Sequence, residues 1–465
     1  MIALTLQEIS QILDGTLHYA GDPQHSISGS AQTNSHLVTE GSIFFALHGA
    51  VTDGHLFAAQ AAANGAALLI VDHELEVPAA QIVVADTLAA LATLAAAVVA
   101  RVRAAREITV IAITGSNGKT TTKNMLRAVL CVVAPTVAPT GSFNNAVGAP
   151  LSMLQIDFDT RYLIIEMGAS GVGEIRRLVS IARPDISVVL SVGLAHAGEF
   201  GGIEHTALAK SEIVTDLLAS DVAVLNCDDT RVAAMARLTA ARPVWFGLDS
   251  RADVVAEDLH ASARGTSFTL VTGEDKLPVS LRILGEHHVM NALAALTVAR
   301  ELHLDLSAAI ASLESLQRAE RWRMEALTRA DGIVVINDAY NASPDSMAAA
   351  LKTLAQIVKP GQRTVAILGE MAELGEDSLH EHDRIGRLIV RLNIQKLVVV
   401  GHGARHIHNA AGLEGSWDGE SALVATADDA YDLISADLRA GDVVLVKSSN
   451  SAGLRLLGDR LGEVW

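Results

Sequence analysis

The chain has 465 residues, half of them hydrophobic but only 3% aromatic, and a formal net charge of −18. That length suggests about three domains of roughly 150 residues each, with cores of Ala, Val, Leu and Ile. The acidic balance excludes broad binding to nucleic acid or anionic membranes, so an anionic ligand needs local positive charge from loop amides, single Lys and Arg residues, or Mg²⁺.

The two cysteines, Cys131 and Cys227, have no paired spacing and imply neither a disulfide framework nor a zinc site. The first eight residues lack the basic stretch of a signal peptide, and the apolar run Leu88–Ala100 is too short to span a bilayer. A cytoplasmic protein without membrane insertion is expected.

In chain order, Ser42–Leu47, Ala67–Val71 and Gln81–Val84 read as strands, and Leu56–Gly65 and Leu88–Arg103 as helices, a small α/β unit. The run Ile108–Ile113 reads as a strand and Met125–Val133 as a helix. Tyr162–Glu166, Ile186–Leu190, Val222–Leu225 and Val244–Phe246 suit a buried parallel sheet, with helices at Glu174–Ala182 and Glu204–Ala219. Short β segments over Asp253–Leu284 and a helix His288–Leu302 follow. Beyond Arg323, strands Ile333–Ile336, Thr364–Leu368, Lys396–Val400 and Val443–Val446 are separated by helices Ser346–Ile357, Ile385–Leu392 and Ala427–Arg439. The expected architecture is α/β in three domains: a small α/β N-terminal domain (1–105), a central P-loop ATPase-like domain with a parallel sheet (106–323), and a C-terminal Rossmann-like α/β domain (324–465).

The most informative stretch is Thr114-Gly115-Ser116-Asn117-Gly118-Lys119-Thr120-Thr121. A Gly-rich turn between a strand and a helix lets backbone N–H groups approach phosphate oxygens. Lys119 adds a full charge, and Thr120 offers a hydroxyl to Mg²⁺. The general phosphate-loop pattern has four residues between its glycines, whereas Gly115 and Gly118 are two apart. Glu166 ends an apolar strand, at the sheet edge where ligands bind, and suits a cation ligand. His196 follows a second strand, and Lys210 interrupts a small apolar helical turn. A protonated ammonium cannot ligate a cation, so Lys210 could do so only as a carbamate. Asp338 and Asn341 follow a strand and can accept hydrogen bonds, while Ser343-Pro344 has the pattern of an N-cap followed by Pro at the first helical position.

Together these motifs resemble the Mur ligase family of ATP-dependent amide-forming enzymes, over essentially the whole chain. That family's loop reads Thr-Gly-(Ser/Thr)-x-Gly-Lys-(Thr/Ser), as residues 114–120 do here. Two stretches, Asp338–Met347 and Gly369–Gly375, resemble the pair that marks the MurF type. The Asp-Asn-Pro-Arg motif of the MurE type is absent. The resemblance implies addition of D-alanyl-D-alanine to UDP-N-acetylmuramoyl-tripeptide through an acyl phosphate, with ATP, two Mg²⁺ ions and a monomeric enzyme. It puts Gly115, Ser116, Asn117, Gly118, Lys119, Thr120 and Thr121 around the phosphates. Asn291 would lie at adenine, Asp338 at ribose, and Arg323 between the central and C-terminal domains. It implies metal binding by Thr120, Glu166, His196 and a carbamylated Lys210. Asn144 and Asn145 would lie by the γ-phosphate, and Ser35, His48, Gly49, Ser142, Tyr340 and Asn341 would touch the substrates. Two elements depart from the family pattern: Asn34-Ser35-His36 stands for Asp-(Thr/Ser)-Arg, and Lys447-Ser448-Ser449-Asn450 for Lys-Gly-Ser-Arg.

Overall fold

The computed structural model describes every residue except 50, 140, 195–201, 319, 415–416 and 464–465. Three main sheets organise the chain, built from residues 16–83, 109–281 and 325–447. The first has five strands in the order Thr16–His18, Ala80–Val83, Leu68–Val71, Ile43–Phe45, Ala31–Gln32, with only the first pair antiparallel. A two-stranded antiparallel ribbon, Leu4–Thr5 with Ser26–Ile27, lies beside it. Thr5 and Glu8 form a reciprocal capping box that starts the helix Leu6–Leu13.

Helix Thr87–Ala105 begins one residue before and ends two residues after the expected Leu88–Arg103, with Asp86 capping it through the amides of Leu88 and Ala89. Its 19 residues are long and apolar enough, by length and composition, to cross a membrane. Here it is a core helix. Leu91, Leu94, Val98 and Val102 are fully buried in one cluster that runs from Ile2 of the N-terminal part to Ile175 and Leu178 of the central part. Its many alanines let it approach elements on both sides.

The central sheet has nine strands, in the order Asp275–Leu281, Gly265–Thr272, Val254–Ser262, Arg242–Gly247, Val222–Asn226, Ile186–Val189, Thr109–Thr114, Tyr162–Glu166, Thr136–Val137. The strands from Val254–Ser262 to Thr136–Val137 pair in parallel, and the two β segments after Gly265 add an antiparallel extension. Strand order reverses at Thr109–Thr114. The crevice beyond the carboxyl ends at such a reversal is the ligand-binding position of open α/β sheets. Helix Lys119–Cys131 starts at the loop itself, well before the expected Met125, since Gly118 adopts φ +86° as its N-cap. A Cβ at Gly118 would also collide with the Asn291 amide. Helix His287–Glu301 packs across Lys119–Cys131 through Ala292, Leu293 and Leu296.

The third sheet runs Glu325–Thr328, Val334–Asn337, Val443–Lys447, Thr364–Leu368, Lys396–Val400, Glu420–Val424, antiparallel only at its first pair. Separate apolar clusters fill its two faces, one around Met347, Leu351 and Ile385 and the other around Val335, Val398 and Val444. Helix Pro344–Ile357 has Ser343 as N-cap with a capping box to Ser346, as the Ser-Pro pair suggested.

Candidate active site

The carboxyl ends of Thr109–Thr114 and Tyr162–Glu166 and the start of helix Lys119–Cys131 open into a cleft of about 360 Å³, closed on the far side by residues of the C-terminal sheet. Each polar wall has a local cause. Ser116 is fixed by donating its hydroxyl to the Gly193 carbonyl (3.1 Å) while accepting from the Gly193 amide (2.8 Å). The Lys119 ammonium donates to the Gly115 carbonyl at 2.6 Å, and burial pushes its pKa down. Asn117, Thr120 and Thr121 complete this wall.

Opposite lies Glu166, 1% exposed. Its carboxylate accepts from the Thr120 hydroxyl at 3.0 Å and from Asn144 Nδ2 at 2.8 Å. Thr120 also meets the Ser142 hydroxyl at 2.9 Å. Lys123, buried in the same helix, donates to the carbonyls of Pro139 (2.8 Å) and Gly141 (2.6 Å), which holds the loop carrying Ser142 and Asn144. Asn145 lines the cleft while its Oδ1 accepts from the amides of Val147 (3.2 Å) and Gly148 (2.8 Å), in the turn that leads into helix Gly148–Met153. Lys210, in helix Ile203–Thr215, is 2% exposed and faces the same cleft. Burial, with help from the Lys119 charge, pushes its pKa down to about 7.

The remaining wall comes from Asn291 and the segment 323–341. Asn291 Nδ2 faces His288 Nδ1 at 3.2 Å, and the buried His288 Nε2 has no hydrogen-bond partner among the described residues. Arg323 stacks over the Tyr340 ring at 4.5 Å, reaches Ser142 at 3.3 Å, and its buried Nε has no partner among the described residues. Asp338 accepts from the Lys447 ammonium at 2.6 Å and from the Met324 amide at 3.1 Å. Lys447 also donates to the Asn341 carbonyl at 3.0 Å. Ser343 Oγ donates to Asn117 Oδ1 at 3.0 Å, which ties the C-terminal part directly to the phosphate loop.

The structure thus brings together in this cleft the expected residues of the central and C-terminal parts that it describes, except Gly115, which does not line it and instead accepts from the Lys119 ammonium. His196 lies outside the described residues. Ser35, His48 and Gly49 do not line this cleft. Ser35 is buried in the N-terminal part and donates to Gln60 Oε1 at 2.9 Å. His288 and Lys447 also line the cleft and Lys123 holds one of its loops; none of the three is among the expected site residues, although Lys447 opens an element that departs from the family pattern and a Lys ending the apolar strand Val443–Lys447 is itself a signal.

The donor set fits a nucleotide and a hard cation. The unpartnered Arg323 Nε and His288 Nε2 are polar atoms in want of a ligand, and a helix N-terminus with Lys119 suits phosphate. Oxygen donors at Glu166 and Thr120 suit Mg²⁺.

Three family models match: Mur ligase middle domain over residues 113–299, Mur ligase, glutamate ligase domain over 322–450, and Mur ligase family, catalytic domain over 30–104. The UDP-N-acetylmuramoyl-tripeptide–D-alanyl-D-alanine ligase of Mycobacterium tuberculosis is 44% identical, covering 99% of this chain and 98% of that protein. Its Escherichia coli counterpart is 34% identical over 98% and 97%. A crystal structure of MurF from Acinetobacter baumannii superposes with a TM-score of 0.88 at 33% identity, covering 99% of both chains. MurF from Thermotoga maritima in complex with ADP gives 0.81 at 27% identity, covering 94% of this chain and 98% of that one. With the phosphate-loop cleft and three-domain fold in common, this chain belongs to the Mur ligase family, in its MurF branch.

Proposed function

We propose that this chain is an ATP-dependent, ADP-forming ligase that adds D-alanyl-D-alanine to UDP-N-acetylmuramoyl-tripeptide in peptidoglycan precursor synthesis, as a cytoplasmic monomer. Residues 1–105 bind the UDP-muramoyl-peptide, 106–323 bind ATP, and 324–465 receive the dipeptide and close the site. The observation that carries this reading is the convergence, in one cleft, of Lys119, Glu166 and Lys210 with Asp338 and Asn341 from a separate sheet.

ATP phosphates lie along the amides of residues 115–121. Lys119 and Arg323 neutralise them, Asn291 and His288 meet the adenine, and the remaining lone pairs of Asp338 accept from ribose. Asn144 and Asn145 stand beside the γ-phosphate, with Ser142, Tyr340 and Asn341 at the substrates. Glu166, Thr120, His196 and a carbamate on Lys210 hold two Mg²⁺ ions, which supply charge neutralisation for the transferring phosphoryl group. An amine with a pKa of about 7 is largely neutral at physiological pH, the form that adds CO₂ to make a carbamate.

The tripeptide carboxylate attacks the γ-phosphorus, the bond to ADP breaks, and an acyl phosphate forms. The dipeptide amine attacks that carbonyl, loses a proton, and phosphate leaves. Contact between Ser343 and Asn117 supports a closed arrangement that keeps water from the acyl phosphate.

The test is phosphate release from ATP with Mg²⁺, UDP-muramoyl-tripeptide and D-alanyl-D-alanine, omitting one component at a time. Release that requires both substrates and yields UDP-muramoyl-pentapeptide is expected. Release with other amino acids but not with the dipeptide overturns the assigned acceptor. Lys210→Ala, with and without short-chain acids, tests the carbamate, and an unaffected variant rejects it.

A further inference from the structure

The stretch Gly369–Gly375 leaves strand Thr364–Leu368 at the carboxyl edge of the C-terminal sheet, where Leu368 pairs in register with Lys447. It is tied down at several points. The Gly369 amide donates to the Lys447 carbonyl (2.9 Å), and the Ser449 amide donates to the Glu370 carbonyl (2.9 Å). The Ala372 amide donates to Ser449 Oγ (2.8 Å), and the Met371 amide to His382 Nε2 (3.0 Å). His382 is fully buried and donates from Nδ1 to the Ser378 carbonyl (2.7 Å), which leaves Nε2 as an acceptor. Met371 and Leu374 are sunk in the apolar cluster beneath.

Between these anchors Glu373 is held in the left-handed region, at φ +64°. Glycine takes that conformation freely, whereas a Cβ crowds the following carbonyl there. Two residues on, the same loop uses a glycine, Gly375, at φ +56°. Strain of this kind persists only where the surroundings over-determine it, and it gathers at functional sites. The strained residue here is also the one whose side chain leaves the buried turn: Glu373 is exposed and lines the cleft.

The carboxylates lining the cleft divide by side. Glu166 and Glu174 come from the central part, where Glu166 faces Thr120 and Glu174 accepts from the Ser170 amide at 2.8 Å. Asp338 and Glu373 come from the C-terminal sheet, and Asp338 is neutralised by the Lys447 ammonium. ATP and the tripeptide carboxylate are anions and suit Lys119 and Arg323. The acceptor dipeptide instead brings an ammonium to the reaction, and a carboxylate is the group that binds it best.

We propose that Glu373 binds the ammonium of the incoming D-alanyl-D-alanine and holds its nitrogen toward the acyl phosphate, an inference that rests on the ligase reading above. The tethered loop aims the carboxylate, and the strained backbone is what lets a turn with buried neighbours present it.

The experiment compares two fates of the acyl phosphate in the full-length protein with ATP, Mg²⁺ and UDP-muramoyl-tripeptide. One is capture by hydroxylamine, a nucleophile uncharged at neutral pH; the other is transfer to D-alanyl-D-alanine. Glu373→Gln should raise KM for the dipeptide about 10–100-fold, while hydroxamate formation and KM for ATP hold. Glu373→Gly relaxes the turn, so its denaturation midpoint should not fall while its dipeptide KM rises as in Glu373→Gln. An unchanged dipeptide KM in Glu373→Gln, or equal loss of both fates, overturns the assignment. A lowered midpoint in Glu373→Gly also overturns it, since the side chain would then be structural. An unsubstituted protein that forms no hydroxamate defeats the ligase reading itself, and the role of Glu373 with it.

Discussion

Lys119 and Lys447 sit at the carboxyl edges of two different parallel sheets, and they are held in opposite ways. Lys447 ends its strand and aims its ammonium at one loop, reaching Asp338 Oδ2 at 2.6 Å and the Asn341 carbonyl at 3.0 Å. Its side chain is 2% exposed and that of Asp338 12%, so the pair is complete without a ligand. Lys119 instead folds back on the carbonyls of its own loop, and burial drives its pKa down. A buried charge with a fixed counter-charge shapes the backbone around it. A recessed charge bonded to carbonyl oxygens, with the Glu166 carboxylate acting on it across the cleft, is kept for an anion yet to arrive. The C-terminal sheet uses its lysine to set the positions of Asp338 and Asn341, and the central sheet uses its lysine on the substrate.

That contrast breaks first on stability. Lys447→Met leaves Asp338 uncompensated and should cost about 3–5 kcal/mol, read as a fall in the denaturation midpoint, with part restored when Asp338→Asn is added. An unchanged midpoint would remove the scaffold role. Lys119→Ala should do the reverse. The rate constant for phosphate release falls about 10²–10³-fold while the denaturation midpoint does not fall. A large loss of stability there would make the two lysines alike.

Ser343→Ala sharpens the comparison at the seam between the sheets. It removes an N-cap and the bond to Asn117, costing about 1 kcal/mol in unfolding and raising KM for ATP. The smallest effect near neutrality concerns His288. Burial, then the neighbouring His287 and Arg323, holds its pKa well below the usual value. The unfolded chain therefore takes up a proton below about pH 6.5 that the folded chain refuses. Stability from this residue is complete above that pH and falls as pH drops through the window beneath it. His288→Asn should flatten the decline in melting temperature between pH 7 and pH 5.

The phosphate loop was legible because its glycines, lysine and flanking strand and helix are contiguous, and local sequence alone dictates that geometry. Strand Tyr162–Glu166 and helix Glu174–Ala182 were readable for a related reason: each is an apolar pattern bounded by clear breaks. Short strands such as Thr16–His18 and Ala31–Gln32 were not, since two or three residues carry no period and exist only through their partners. Helix Arg405–Leu413 was missed because its polar face dominates the composition. In the site, Asp338 was found from its motif. Its partner Lys447 is 109 residues away, and only the pairing of strands Val334–Asn337 and Val443–Lys447 brings them into contact.

Helix Thr87–Ala105 carries a consequence for how the molecule can be cut and how it can move. Its apolar sides are sunk in a single core shared by the first two sheets, whereas the clusters around the third sheet hold residues from 324 onward with little besides Leu284. A fragment ending near residue 83 would lose its floor, and one starting near 106 would bare an oily trench, so neither half should survive alone in water. Severing the chain near residue 320 opens no such wound. Any bending of the chain is therefore expected after the second sheet, with the first two sheets moving as one body because they share one core.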